Sequence, residues 1–249
     1  MLAFAVPGAA AQCAAESGAR RVALLELYTS EGCDSCPPAD RWVSALLARG
    51  LDPERVVTLG FHVDYWNYLG WNDPFAKAEY SIRQRAASQR NKARVVYTPQ
   101  LLLNGADYRR GIFKDDIADR VNTINQDRPA ARISLKLMPG PTGEWSVQGA
   151  VAVTDATRKN GTQAFLALYE NNLANAISSG ENRGKELHHD FVVRALAGPF
   201  PVNPAGEATF AHRFRIDKDW KPADLRVASF VQNENTGDIL QALAIPACR

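Results

Sequence analysis

The chain has 249 residues, 46% of them apolar, and a formal net charge of +2 from 29 Lys and Arg against 27 Asp and Glu. It is too long for one small α/β unit and ample for two domains with sizeable cores. Its basic residues are spread along the chain, which excludes the footprint of a nucleic-acid binder and a polybasic membrane anchor, and no stretch reaches the ~20 apolar residues of a spanning helix.

Residues 1–12 (MLAFAVPGAAAQ) are an apolar run closed by Ala9-Ala10-Ala11, the small-residue pattern of a signal cleavage site. We read them as a residual signal or processing segment, and the protein as periplasmic or secreted. The four cysteines are Cys13, Cys33, Cys36 and Cys248. An even count suits an oxidising compartment. Two bonds are expected, Cys33–Cys36 and Cys13–Cys248.

Residues 21–29 (RVALLELYT) read as a buried strand. The cysteine pair follows, and Pro37-Pro38 opens a helix, since proline fits the first helical turn. Residues 56–63 predict a second buried strand. Asn72-Asp73-Pro74 starts a helix running to about Arg90, with Phe75, Ala78, Ile82 and Ala86 on its buried face. Residues 95–104 are extended around Pro99, and residues 112–126 predict one further helix. This order predicts a unit with α/β layers over residues 20–129. Beyond it, period-two alternation (Ile133, Leu135, Leu137; Trp145, Val147, Val151, Val153) predicts about seven short strands, an antiparallel β-sandwich over residues 130–249.

Cys33-Asp34-Ser35-Cys36 carries the chemistry. Two thiols three apart at a helix start can close a small ring, and the positive helix end favours the thiolate of the first. Cys33 is then the nucleophile and Cys36 the resolving thiol. Asp34 opposes thiolate formation, whereas Ser35 can donate to the sulfur. Thr98-Pro99 leaves the Thr98 backbone free for a substrate chain, because a proline entering a strand makes no ladder bond. Glu26 lies in the apolar strand, either as a proton relay to Cys36 or in an ion pair with Arg21 or Lys114. Tyr65 and Trp66 lead an aromatic segment fit for recognition or for a packed lid. Cys33, Cys36 and His62 form a weaker alternative, a site for Cu(I) or Zn(II).

Gly180-Glu181-Asn182-Arg183-Gly184 reads as a turn or a seam between domains. His188-His189-Asp190 is discounted as a metal site, since adjacent strand residues face opposite ways. His212, in phase with Phe210 and Phe214, reads as a core or rim histidine.

The segments LELYTSEGCDSCPPAD, FHVDYWNYLGWNDPF and VYTPQLLLNG, with SGENRGKELHHDFVVRAL further on, resemble the uncharacterised, mostly proteobacterial family labelled domain of unknown function 1223. The resemblance implies a thioredoxin-like N-terminal domain, a CxxC site and export. It aligns Cys33 and Cys36 with the reactive pair of thioredoxin-like proteins and Pro99 with their cis-proline. Asp-Ser replaces the familiar Gly-Pro between the cysteines. The expected function is exported thiol–disulfide exchange without a cofactor, on protein or small-molecule disulfides. The alternatives are metal handling and a non-catalytic interaction module with a structural disulfide.

Overall fold

The computed structural model describes residues 13–109, 111–140 and 143–245. The expected signal segment 1–12 and Cys248, and with it the expected Cys13–Cys248 bond, lie outside the described residues. The first half holds β1 (Cys13–Glu16), β2 (Ala23–Thr29), α1 (Pro37–Ser44), β3 (Val56–His62), α2 (Ala78–Arg90), β4 (Gln100–Leu103), β5 (Ala106–Asp107), α3 (Gly111–Lys114) and α4 (Ile117–Gln126). The second holds β6 (Ala131–Pro139), β7 (Glu144–Val153), β8 (Thr162–Glu170), β9 (Leu173–Ala176), β10 (Glu186–His189), β11 (Val192–Pro201), β12 (Glu207–Arg215), β13 (Leu225–Asn233) and β14 (Ile239–Ile245).

The class is mixed α/β, and strands dominate. β2 is buried along its whole length, Glu26 included, as its otherwise apolar run requires. It pairs in parallel with β3 and antiparallel with β4, which continues into β5. Leu25 and Leu27 on one face of β2 pack with Ala39 and Val43 of α1 and Ile117 and Val121 of α4. Leu24 and Tyr28 on the other face meet Phe61 and Tyr80. The period-two signal of the second half is met in β6, where burial alternates. A four-stranded sheet, ordered β1-β6-β7-β12, packs Ile133, Leu135, Val151 and Phe210 against Leu166, Leu168, Val227 and Val231 of β8 and β13.

Three features differ from expectation. The division expected at 129/130 falls between α4 and β6, yet one eight-stranded sheet, β14-β13-β8-β11-β3-β2-β4-β5, runs across it. The halves join where Val192 of β11 meets Gly60 of β3, with Gly60 N–H donating to Phe191 C=O at 2.7 Å. The buried face of α2 is not the expected one. Ile82 is 64% exposed, whereas Tyr80, Ser81, Gln84, Ala87 and Ser88 are buried. The helix is turned so that Gln84 and Arg83 find polar partners across the core, which outweighs the exposure of one isoleucine. The helix expected over residues 112–126 is broken into α3 and α4 at Asp115, where φ is 53°.

Candidate functional site

Cys33 and Cys36 form a disulfide at the head of α1, with Cys36 as the capping residue and Pro37 and Pro38 in the first turn. Both cysteines are buried, Cys33 at 1% exposure, while Asp34 and Ser35 between them are exposed. The Ser35 hydroxyl lies 3.3 Å from Cys33 Sγ. With no proton on a disulfide sulfur, the hydroxyl is the donor.

Of the residues expected to bind substrate, Thr98 reaches Cys33 directly and Trp66 through Thr98. The Thr98–Pro99 bond is cis. Thr98 Oγ1 donates to Cys33 Sγ at 3.4 Å and accepts from Trp66 Nε1 at 2.7 Å. Trp66 also rests on Gly32, where a Cβ would come within 3.1 Å of the Trp66 Cβ and carbonyl. A side chain at position 32 would therefore push the Trp66 backbone back by a few tenths of an ångström. Tyr65 hydroxyl donates to Gln84 Oε1, and Gln84 Nε2 donates to the Tyr97 carbonyl and to Gln100 Oε1. The polar buried face of α2 thus holds the segment around Pro99. Tyr68, next to Trp66, is 77% exposed.

Glu26 is placed elsewhere. Its carboxylate accepts from Arg83 Nε at 2.8 Å and from the Tyr28 hydroxyl at 3.1 Å. It shares the face of β2 that carries Tyr28, whereas α1, which follows Cys36, packs on the opposite face. Its ion-pair partner is Arg83, not Arg21 or Lys114. His62 Nδ1 is taken by Asp73 Oδ2 at 2.7 Å. Among the described residues, no group of three or more His, Cys, Asp or Glu side chains is arranged to hold a metal ion. His212 is half-buried against Phe214, and burial lowers its pKa.

Two groups of residues to which the sequence reading gave no part in the site support the cysteine loop. One is the polar loop after β9. Asn182 is fully buried and its side-chain amide donates to the carbonyls of Glu31 and Cys33 at 2.8 and 2.9 Å. Glu181 Oε2 accepts from the Asp34 N–H. The loop expected to be a turn or seam therefore clasps the cysteine turn from the second half of the chain. Replacing Asn182 by alanine strands the Glu31 carbonyl and leaves that of Cys33 with the Cys36 N–H alone, and about 1–3 kcal/mol of stability should be lost. Denaturant unfolding measures this. A loss below ~0.5 kcal/mol, the range of a neutral surface change, would deny the clasp any hold on the fold.

The other is a buried set of ionisable side chains under the same turn. Glu31 accepts from Trp71 Nε1 and Asn175 Nδ2, both at 2.8 Å, and from His189 Nε2 at 3.1 Å. Asp73 accepts from the Glu31 N–H as well as from His62. Asp40 of α1 accepts from Thr29 Oγ1, and His189 Nδ1 stands 3.8 Å from its Oδ1. Burial alone would lower the His189 pKa, but its contacts with Asp40 and Glu31 outweigh burial and push it up to about 10. Burial would raise the Asp73 carboxyl, but the charge and hydrogen bond of His62 hold it below its usual value. The signal available in the sequence was the acidic flank of the cysteine motif, Glu31 and Asp40, too polar for so apolar a neighbourhood.

Among solved structures, the chain is similar to a crystal structure of a protein from Agrobacterium tumefaciens, at 25% identity over 91% of this chain and 95% of that one, with a TM-score of 0.64. It is similar in fold to HBP35 of Porphyromonas gingivalis, at 18% identity over 92% of this chain and 76% of that one, with a TM-score of 0.69. No curated protein matches. The family described as protein of unknown function (DUF1223) matches residues 24–232, a span that takes in both cysteines, Thr98, Asn182 and His189, and the chain belongs to that family.

Proposed function

We propose that this is an exported thiol–disulfide exchange protein whose Cys33–Cys36 pair works behind a gate made by Trp66. The observation that carries the reading is the chain of hydrogen bonds from Trp66 Nε1 to Thr98 Oγ1 to Cys33 Sγ, which gives the first sulfur a fixed donor and a removable cover. The order β3-β2-β4-β5, with α1 and α4 on one face and α2 on the other, supports a thioredoxin-like unit. The core between β6, β7, β12 and β8, β13 supports a β-sandwich beyond it. A disulfide suits an oxidising compartment, and no helix among the described residues is long and apolar enough to cross a membrane.

At 1% exposure Cys33 is closed to a folded partner. The substrates that fit are a small thiol or disulfide, or a flexible cysteine-bearing segment that displaces Trp66. Cys33 is the attacked sulfur and Cys36 the leaving group. Equilibration with glutathione tests this: the pair should open in the folded chain, and Cys33→Ser should abolish exchange. Trp66→Ala should speed reduction by a small dithiol about tenfold, since thiol exchange depends on access to the attacked sulfur. The burial of both sulfurs and the Asn182 clasp favour one competing reading, a structural disulfide. A potential below about −300 mV, with no acceleration in Trp66→Ala, would decide for it.

A further inference from the structure

His189 comes from β10, far along the chain from the cysteines, yet it is the hub of the buried set beneath them. It is 3% exposed. Its Nε2 is bonded to Glu31, two residues before Cys33. Its Nδ1 has no hydrogen-bond partner and faces the Asp40 carboxylate at 3.8 Å. Asp40 stands four residues after Cys36, and the Asp40 N–H bonds the Cys36 carbonyl, so both residues belong to the first helical turn. Side chains four apart on a helix lie one above the other, and the later one leans toward the N-terminus. The Asp40 carboxylate therefore leans toward Cys36, with an unpartnered imidazole nitrogen behind it. The remaining titratable groups facing His189 are Glu31 and, edge to face at 4.9 Å, His62, behind which lies Asp73.

We propose that His189 is a positioning residue for the cysteine pair, acting through Asp40 to set the proton affinity of the Cys36 thiol. The inference rests on the exchange reading given above. In the reductive direction, one thiolate of an external dithiol attacks Cys33 Sγ. The S–S bond breaks and Cys36 leaves with the electron pair as a thiolate. Cys36 Sγ then takes a proton from water, at an affinity set by the Asp40 carboxylate and the His189 cation behind it. The second external thiolate then attacks the mixed disulfide and releases Cys33. The dithiol is oxidised by two electrons to a disulfide, and the protein disulfide is reduced. The two protons of the dithiol enter water as its thiolates form; one replaces that delivered to Cys36, and the other is available to Cys33.

The test uses the Cys33→Ser chain, in which Cys36 is a free thiol. Its thiolate absorbance is followed against pH, with the Cys33→Ser/Cys36→Ser chain as reference. His189→Gln keeps a donor for Glu31 and removes the cation, so the Cys36 titration should move up by about one pH unit, a tenfold change in thiolate fraction. Asp40→Asn removes the anion and should move it down by a similar amount. Opposite shifts support the proposal; no shift, or two shifts of the same sign as loosened packing would give, overturns it. Nitrogen-15 spectra of the histidines in the unsubstituted chain supply an arm that needs no variant: His189 should titrate differently in the disulfide and dithiol states, and identical titration overturns the proposal. Failure of the exchange reading is seen separately, as a wild-type pair that glutathione and dithiols leave closed, while the Cys36 titration is still read.

Discussion

Arg83→Ala is expected to cost about 3–5 kcal/mol of stability, because it leaves the Glu26 carboxylate buried without its partner. Glu26 is 1% exposed, and the Arg83 side chain 9%. The guanidinium does more than neutralise it. It bonds Gln232 Oε1 at 3.2 Å and lies over the rings of Phe61, Phe165 and Phe230 at 5.6, 5.2 and 4.9 Å. Phe61 belongs to β3 and the other two to β8 and β13, so one side chain fastens both halves of the large sheet. Burial would lower the Arg83 pKa, but Glu26 outweighs burial and raises it, so the guanidinium stays charged. The double variant Glu26→Leu/Arg83→Met should recover most of the loss, since an apolar pair of similar volume needs no desolvation of charge. Denaturant unfolding of the two chains makes the comparison. An Arg83→Ala loss near 1 kcal/mol would mean that water reaches Glu26 and that the pair does not fasten the seam.

That seam was the part of the fold least legible in the sequence. The strands themselves were readable, from the largely apolar run of β2 and the alternation of β6 and β7. Nothing in the local pattern says that Val192 pairs beside Gly60, because a strand buried on both faces presents the same apolar run whichever neighbour it has. β1 and β9 escaped notice because they are four-residue strands without a long alternating signal. The cysteine turn, Thr98-Pro99 and Trp66 were legible because each carries its chemistry locally. Asn182 and His189 were not. Their roles exist only when the second half of the chain folds onto Glu31 and Cys33, a contact between residues about 150 positions apart. Glu26 was legible as a buried carboxylate in need of a partner, but the partner sat on α2, whose apolar spacing pointed to the wrong face.

Stability should fall between pH 6.5 and about 10, chiefly through His189. Its folded-state pKa of about 10 lies above its ordinary value of 6.5. The folded chain therefore holds the proton more tightly than the unfolded chain does. The contribution is complete below about pH 6.5 and is lost progressively as the pH rises through 10, by roughly 3–5 kcal/mol in all. Asp73 works in the other sense. Its pKa is depressed below 3.8, so its contribution is present above that value and is lost as the pH falls. The buried tyrosines Tyr28 and Tyr169 also have raised values, from an ordinary 10.0. Their losses begin only where the unfolded phenol starts to ionise, near pH 10, and Lys77, lowered from 10.5 by burial, acts in the opposite sense to His189, so the fall below pH 10 belongs to His189. Denaturant unfolding at stepped pH should show a stable region from about pH 4 to 6.5, then a decline. His189→Gln should be less stable than the wild type at pH 6.5 and flat from there to 10, so that the two curves converge at the alkaline end. Parallel declines in the two chains would show that His189 holds no proton beyond its ordinary range, and the charge set beneath the cysteine turn would then have to be rebuilt around a neutral imidazole.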